Sequence, residues 1–117
     1  MMNENPSSFL PLSPAALHIL LSLAGQEMHG YAIMQEVQRQ SEGKYRLGPG
    51  TLYDNLQKMI ERKLVEELGR KAGDEDPRRR YYRLSPLGRG VLAAEISRLD
   101  GVVREGKMRL HATPRRA

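Results

Sequence analysis

The sequence contains no cysteine and no tryptophan, and only one phenylalanine among its 117 residues. Without cysteine the chain forms no disulfide, no cysteine-ligated zinc site and no thiol nucleophile. With so few large aromatic side chains, we expect a mainly aliphatic core. No apolar run approaches the roughly 18 residues of a membrane-spanning helix, and residues 1–8 lack the basic start of a signal peptide. These absences predict a soluble protein of the cytoplasm with no membrane partner.

The chain is basic, with 19 lysines and arginines against 14 acidic residues and a net charge of +5. An excess of this sign predicts attraction to a polyanion, either nucleic acid or an anionic membrane surface. The window from residue 70 to residue 90 holds seven of the basic residues and three of the acids, and so carries +4 of the net charge. A charge run is also common on an ordinary solvated face, so the run alone identifies no partner.

Helix signals divide the first half of the chain. Residues 1–12 are polar and contain prolines, which predicts a flexible N-terminal segment before a single small domain. Ser13 followed by Pro14 is typical of the start of a helix, and Gly25 of its end. A second helix begins at His29–Gly30 and is broken at Gly43.

A third predicted helix begins at Pro49, between two glycines, and runs to about Lys63. Apolar residues recur along one side at helical spacing: Leu52, Leu56, Met59 and Ile60. The opposite side is polar, with Thr51, Asn55, Lys58 and Arg62. Cations, an amide and a hydroxyl suit phosphates and base edges, although an ordinary amphipathic helix with a solvated face shows the same pattern.

Two short β-prone segments follow, Leu64–Leu68 and Arg78–Leu84, and a turn rich in glycine, aspartate and proline separates them. Alternation in the second segment predicts that Tyr82 and Leu84 face the core while the arginines face outward. A mainly α, winged helix-turn-helix fold is therefore predicted over residues 13–84, with three helices and a two-stranded β wing. Arginines on both arms of such a hairpin are placed to contact DNA phosphates or to enter a minor groove.

A last helix is predicted to begin at Ser85–Pro86, with a dimerisation helix over 85–108 and a basic tail over 109–117. Its apolar residues are spaced four, three and four apart, close to a heptad: Leu92, Ile96, Leu99 and Val103. These four residues are the predicted dimer interface. Packing of the same residues against the first helix is the alternative.

Enzyme and metal motifs are absent from the sequence. His18, His29 and His111 share no ligand spacing with a carboxylate, and the acidic run 74–76 lacks the glycine and final glutamate of a calcium loop. No nucleophile elbow, Walker loop or dinucleotide-binding glycine motif is present. The sequence therefore predicts a protein that is not an enzyme and that binds no cofactor or metal.

The order of several motifs resembles the PadR family of bacterial transcriptional regulators. The resemblance covers roughly residues 13–90 and rests on His29-Gly30-Tyr31-Ala32-Ile33, on Gly50-Thr51-Leu52-Tyr53 with Leu56, on Leu64-Val65 and on Arg79-Arg80-Tyr81-Tyr82-Arg83-Leu84-Ser85-Pro86-Leu87-Gly88. The single helix after the wing is similar to the compact subfamily. The resemblance implies a homodimeric DNA-binding protein, usually a repressor, with its third helix in the major groove and its C-terminal helix in the dimer contact.

Two features depart from the family pattern. Asp54 and Asn55 follow Leu-Tyr, where proline or another apolar residue is common in the family. The carboxylate of Asp54 repels phosphate. Asp54 therefore either reads a cytosine amine, caps the helix or points to solvent. Members of the family often respond to small aromatic or drug-like ligands, or to none identified, so the resemblance leaves open whether a small-molecule effector of unknown identity exists. The absence of tryptophan, which stacks flat ligands in some relatives, argues against an aromatic one.

The residues predicted to contact double-stranded DNA form two sets. The recognition-helix set is Thr51, Tyr53, Asn55 and Lys58, with Asn55 as an adenine reader and Lys58 on a phosphate or guanine; for Tyr53 a half-buried core role is the alternative. The set on the wing and the DNA backbone is Tyr31, Lys71, Arg78, Arg79 and Arg80.

The sequence-based hypothesis is a sequence-specific DNA-binding transcriptional regulator, a homodimeric repressor at an inverted-repeat operator with half-sites on the order of 10 bp apart. The alternative is a winged-helix protein-interaction module whose basic face binds an acidic partner. A peripheral membrane protein is a third hypothesis, against which the last helix lacks the Phe or Trp anchors of interfacial insertion.

Overall fold

The computed structural model describes residues 5–69, 73, 76 and 79–112. Within them the chain is mainly helical and carries one small antiparallel sheet, which confirms the predicted fold class. The elements are a 3₁₀ helix Pro6–Phe9, α1 Pro14–Gly25, β1 Met28–His29, α2 Gly30–Gln40, α3 Pro49–Glu61, β2 Val65–Gly69, β3 Tyr81–Leu84 and α4 Pro86–His111.

Side-chain caps fix where three of the four α-helices begin. The Ser13 hydroxyl accepts from the Ala16 N–H at the start of α1, and His29 Nδ1 accepts from the Ala32 N–H at the start of α2. Ser85 caps α4 in the same way. Gly48 caps α3 without a side-chain bond, and Pro49 presets the first turn of that helix.

The sheet has the strand order β1-β3-β2, with β3 in the middle. The β2–β3 hairpin pairs Val65 with Leu84, as the predicted wing requires. The third strand, β1, is not predicted by the sequence: it pairs only Met28 and His29 with β3, and two residues give no alternation to recognise. Tyr82 is buried and Arg83 is exposed, in agreement with the predicted alternation.

The core lies between the three N-terminal helices, the sheet and the first half of α4. Its members are mostly aliphatic, as predicted, and include Ile19, Leu20, Leu23, Ile33, Val37, Leu52, Leu56, Met59, Leu64, Val65, Leu84, Val91 and Leu92. Phe9 and Tyr82 are the aromatic members. The hydrophobic effect on this cluster sets the positions of α2, α3 and the wing relative to one another.

Residues 5–12 differ from the flexible segment that the sequence predicts. Asn5 caps the 3₁₀ helix, Phe9 is only 8% exposed, and Leu10 and Leu12 pack against the core. The physical reason is that burial of Phe9, packing of Leu10 and Leu12 and the cap at Asn5 act together against the entropy of ordering a short segment. A single phenylalanine gives no periodic pattern, so the sequence does not reveal this packing.

The start of α4 is joined tightly to the turn between α3 and β2. The Ser85 hydroxyl donates to the Lys63 carbonyl at 2.6 Å, and the Ser85 N–H donates to the Leu64 carbonyl at 3.0 Å. Gly88 passes so close to this turn that an added Cβ would lie 2.0 Å from the Leu64 carbonyl oxygen. Only glycine permits this approach, which fixes where α4 leaves the domain.

Helix α4 is 26 residues long and reaches His111, beyond the predicted end at residue 108. A helix of this length spans about 39 Å. Its first half is packed in the core, whereas residues 102–105 and 107–111 are exposed. Over the residues that the structure describes, no helix is both long enough and apolar enough to cross a lipid bilayer.

Candidate nucleic-acid interface

An open cleft of about 390 Å³ lies between the start of α2, helix α3 and the residues that lead into β3. It is lined by His29, Gly30, Tyr31, Tyr53, Asp76, Arg79, Arg80 and Tyr82. Four of these residues, Tyr31, Tyr53, Arg79 and Arg80, belong to the predicted DNA-contacting sets. Three separate sequence motifs therefore meet at one surface.

The Tyr53 ring packs against Gly30, the first residue of α2. A Cβ added to Gly30 would lie 2.3 Å from the Tyr53 hydroxyl oxygen and 2.9 Å from Cζ, so the ring packs directly on the glycine backbone. Tyr53 is nevertheless 49% exposed. The inner edge of the ring therefore packs α3 against α2, as the core alternative requires, and the rest of the ring faces solvent in the cleft, where a DNA contact stays a prediction.

Tyr82 is a member of the cleft lining that the sequence assigns only to the core. It is 5% exposed, and burial raises the pKa of its phenol, with the negative charge of Glu67 adding to that shift. The phenol is therefore neutral at physiological pH and keeps its proton as a hydrogen-bond donor. Alternation in β3 predicts that Tyr82 points inward, but not that it reaches the cleft.

The base of the wing carries exposed ion pairs across the hairpin. Arg80 Nε lies 3.8 Å from Glu67 Oε2, and Arg83 Nε lies 2.8 Å from Glu66 Oε1. Exposed pairs of this kind contribute little to stability, so a phosphate can compete with the carboxylates for these guanidinium groups. Two predicted wing residues, Lys71 and Arg78, lie outside the described residues.

The outward face of α3 is polar but locally balanced in charge. Thr51 and Lys58 are exposed, and Lys58 Nζ lies 3.1 Å from Asp54 Oδ2. Asp54 thus pairs with Lys58 one turn away and does not cap the helix. Asn55 is half-buried, and its Nδ2 donates to the Thr51 carbonyl at 2.8 Å. Thr51, Asn55 and Lys58 do not line the cleft; they continue its surface along the helix.

Arg62 belongs to the predicted polar face of α3, but the structure engages it elsewhere. Its guanidinium carbon lies 4.4 Å above the centroid of the Phe9 ring, a cation–π contact with the N-terminal segment. The helical spacing places Arg62 correctly on the polar side. It cannot show that residues 5–12 fold back to that end of the helix.

The four residues predicted for a dimer contact fall into different environments. Leu92 is 7% exposed and packs in the core of the single chain, which corrects its assignment to a contact between chains. Leu99 is half-buried, whereas Ile96 is 45% and Val103 is 50% exposed. Leu92 differs because α4 uses its first turns to cover the domain. Three further large apolar residues of α4 are exposed and lie outside the predicted set: Val102, Met108 and Leu110.

Metal-binding geometry is not found in the described part of the chain. Among residues 5–69, 73, 76 and 79–112, no group of three or more histidine, cysteine, aspartate or glutamate side chains is arranged to hold a metal ion.

Comparison with known proteins identifies the family. The sequence model described as "Transcriptional regulator PadR-like family" matches residues 19–94, which include the cleft, α3 and the wing. The chain belongs to the PadR family. It is therefore a DNA-binding transcriptional regulator and not an enzyme, as the sequence predicts at that level.

Two relatives illustrate how much of the chain this PadR protein shares with others. The transcriptional regulator Rv3488 of Mycobacterium tuberculosis is 36% identical over 89 residues, which are 76% of this chain and 78% of that protein. An uncharacterized 37.1 kDa protein in a transposon of Streptomyces fradiae is 37% identical over 94 residues. That match covers 78% of this chain and only 25% of the transposon protein.

Solved structures show the same fold at low sequence identity. A PadR family regulator of Clostridium difficile has a TM-score of 0.72 at 21% identity, covering 84% of this chain and 99% of that one. A PadR-like regulator of Bacillus cereus gives 0.71 at 22%, covering 84% and 92%. PadR of Bacillus subtilis in complex with operator DNA gives 0.61 at 18%, covering 69% of this chain and 45% of that one.

Proposed function

We propose that this PadR protein is a homodimeric repressor that binds an inverted-repeat operator through α3 and the wing. The observation that carries the proposal is the cleft, where Tyr31 of α2, Tyr53 of α3 and the arginines before β3 surround one open surface. A hydroxyl donor and guanidinium groups at the start of a helix suit the phosphate backbone of DNA. Acting on the chromosome, such a repressor would work in the cytoplasm.

Base reading is assigned to the outward face of α3. Thr51 and Lys58 are exposed there, and Asn55 keeps its carbonyl oxygen as an acceptor while its amide group donates to Thr51. Because the amide NH2 group has two N–H donors and only one bonds Thr51, the second can donate to a base while that bond is kept. The Lys58–Asp54 pair makes the face nearly neutral, so α3 contributes selectivity between base pairs more than affinity for the backbone.

Affinity for the DNA backbone is assigned to the wing set, Lys71, Arg78, Arg79 and Arg80, together with Tyr31. Binding of DNA phosphates by lysine and arginine releases counterions, which makes affinity fall with salt. Arg79 and Arg80 are exposed at the edge of the cleft. Their contribution should therefore be similar on every DNA sequence and strongly dependent on salt.

The first test uses gel shifts with the DNA upstream of the protein's own gene, repeated over a series of salt concentrations. Arg79→Ala with Arg80→Ala should weaken binding to all duplexes and lower the slope of log K against log salt by about 1.8 per bound protomer, since each lost phosphate contact lowers it by about 0.9. The matched control, Arg104→Ala with Arg109→Ala, removes the same charge from ion-paired positions on α4 and should leave the slope unchanged.

An unchanged slope in the Arg79/Arg80 variant would contradict the assignment of these residues to DNA phosphates. Absence of any duplex binding by the wild type at physiological salt would contradict the proposed function as a whole and favour the protein-interaction module. Repression itself is read from a reporter behind the bound promoter, whose expression should rise when the gene is deleted.

The dimer contact is assigned to the exposed apolar side of α4. Ile96, Leu99, Val103 and Leu110 are separated by three, four and seven residues, so they lie along one side of the helix. Three of them are 45%, 50% and 87% exposed in the single chain, which is unfavourable unless another surface covers them. A second copy of the same helix, whose stripe has the same length and chemistry, would cover them symmetrically.

Val103→Lys should convert the dimer to monomers, because a charged side chain would be placed in the middle of the apolar contact. Sedimentation equilibrium measures the change as a halved mass. Met108→Lys is the matched control: Met108 is 63% exposed on the same helix but lies on a different side of it from Val103. A Val103→Lys protein that remains dimeric would place the contact elsewhere.

A further inference from the structure

The N-terminal segment, residues 5–12, contacts both helices on which DNA recognition by a dimer depends. We propose that this segment, here called the strap, sets the angle between α3 and α4. The positioning residues are Phe9 in the strap and Glu95 on α4. Only the effect of the strap on operator binding rests on the proposed function. The contacts themselves lie within one chain.

One end of the strap is held to α4 by a buried carboxylate. Glu95 is 1% exposed, and its Oε2 accepts from the Leu12 N–H at 3.0 Å. Arg98, one turn later, holds the same carboxylate through two bonds of 2.6 and 3.1 Å. The bonds from Arg98, and secondarily the Leu12 N–H, keep the pKa of Glu95 below its ordinary value despite burial. The carboxylate is thus charged at neutral pH and accepts strongly from the strap.

The middle of the strap is held to α3. Phe9 is 8% exposed in the core, and the Arg62 guanidinium lies 4.4 Å above its ring centroid. Arg62 is the C-cap residue of α3. A second contact joins the strap to α4, because a Cβ on Gly90 would lie 3.4 Å from Pro6 Cγ. The strap therefore runs from the end of the recognition helix to the middle of the C-terminal helix.

Helix α4 is hydrogen-bonded at two separate points along its length. Two separate points restrict the direction of a helix, whereas a single point would allow it to rotate about that point. The first is the junction of Ser85 with the carbonyls of Lys63 and Leu64. The second is Glu95, ten residues further on, or about 15 Å along the helix. Both attachments lead back to the C-terminal end of α3, at Arg62 through the strap and at Lys63 through Ser85. Apolar packing of α4 on α1 also holds the helix, and the hydrogen bonds add a preferred distance and angle to that packing.

A small change in this angle has a large effect at the far end of α4. From Glu95 to His111 the helix extends about 24 Å further, so a tilt of roughly 10° at Glu95 would move its end by about 4 Å. That displacement is similar to the rise of one base pair, about 3.4 Å. In a dimer joined through α4, the strap would therefore set how far apart the two recognition helices stand, and so which half-site spacing the protein accepts.

The strap can be tested without DNA, since the chain has no cysteine and accepts labels at chosen sites. Spin labels at Gln57→Cys on α3 and Met108→Cys on α4, both exposed positions, report the distance between the helices. The doubly labelled protein is diluted into excess unlabelled protein, so only distances within one protomer contribute. Glu95→Ala and Phe9→Ala should broaden the distance distribution about twofold or shift its mean by several ångströms.

Three further variants separate positioning from folding. Arg62→Ala removes the cation–π contact between the strap and α3 without opening a cavity, so it should fold normally and still broaden the distribution. Glu95→Gln keeps an acceptor for the Leu12 N–H and should retain most of the wild-type width. Val37→Ala, at a buried position of α2, should lower the melting temperature and leave the width unchanged. Unchanged distributions in Arg62→Ala and Glu95→Ala would overturn the proposal.

The consequence for DNA is measured with operators whose half-site spacing is altered by one base pair. The wild type should prefer its natural spacing by about tenfold, and Glu95→Ala should reduce that preference to about twofold. A wild type with no spacing preference would contradict the proposed dimeric function. The proposal about the strap would then still be tested by the distance measurement. A variant that keeps the full preference would limit the strap to a structural role.

Discussion

Gly88→Ala should lower the melting temperature by more than about 10 °C, the largest stability effect that we expect from a single substitution. The added methyl would lie 2.0 Å from the Leu64 carbonyl oxygen, which is backbone and cannot rotate away. To relieve the clash, α4 must move from the turn after α3, which breaks the two bonds that Ser85 makes there. Overpacking and the lost bonds together should cost about 3 kcal/mol or more.

Thermal unfolding followed by circular dichroism gives the measurement, and Gly90→Ala is the control. Gly90 lies in the same helix as Gly88, and a Cβ added to it would lie 3.4 Å from Pro6, which is an ordinary contact distance. Since alanine favours a helix over glycine by up to about 1 kcal/mol, this variant should be as stable as the wild type or more so. If Gly88→Ala were tolerated equally well, the close approach of α4 to the turn would be refuted.

Gly30→Ala should reduce affinity for the operator about tenfold, or about 1.4 kcal/mol, with only a small change in stability. The clash here involves the hydroxyl end of Tyr53, a half-exposed side chain that can swing aside. Its new position would fall within the cleft that Tyr31, Arg79 and Arg80 share. The loss should therefore be specific to DNA binding.

A double-mutant cycle isolates this contact. In a Tyr53→Ala background the ring is absent, so Gly30→Ala should then reduce affinity by less than about twofold, as expected for two residues in direct contact. Fluorescence anisotropy with a labelled operator measures all four proteins. Gly25→Ala, an open position at the end of α1, is the control without effect. An equal loss in both backgrounds would mean that Gly30 acts independently of Tyr53.

The sequence predicts the elements that local chemistry defines. The caps at Ser13, His29 and Ser85 mark helix starts that the structure confirms. Alternation in β3 correctly assigns Tyr82 to the core and Arg83 to the surface. These predictions succeed because N-caps and strand alternation act over a few neighbouring residues.

The errors of prediction involve contacts between distant parts of the chain. Strand β1 exists only because β3 pairs with it from more than 50 residues away. Leu92 has the spacing of a contact between chains, but α4 covers the core at that point. Arg62 lies on the polar side of α3 as its spacing predicts, but the spacing does not show that Phe9 lies beside it in the fold. Periodicity identifies the side of a helix on which a residue lies, but not what covers that side.

The short strand β1 has a consequence for the proposed contact between the wing and DNA. Because Met28 and His29 pair with Tyr82 and Tyr81, the base of the wing is hydrogen-bonded to the start of α2. The His29 ring also meets the Tyr81 ring edge-on at 5.4 Å. The base of the wing and α2 are thus held in one orientation before DNA arrives. If the wing contacts DNA as proposed, association would therefore lose little conformational entropy at the base of the wing.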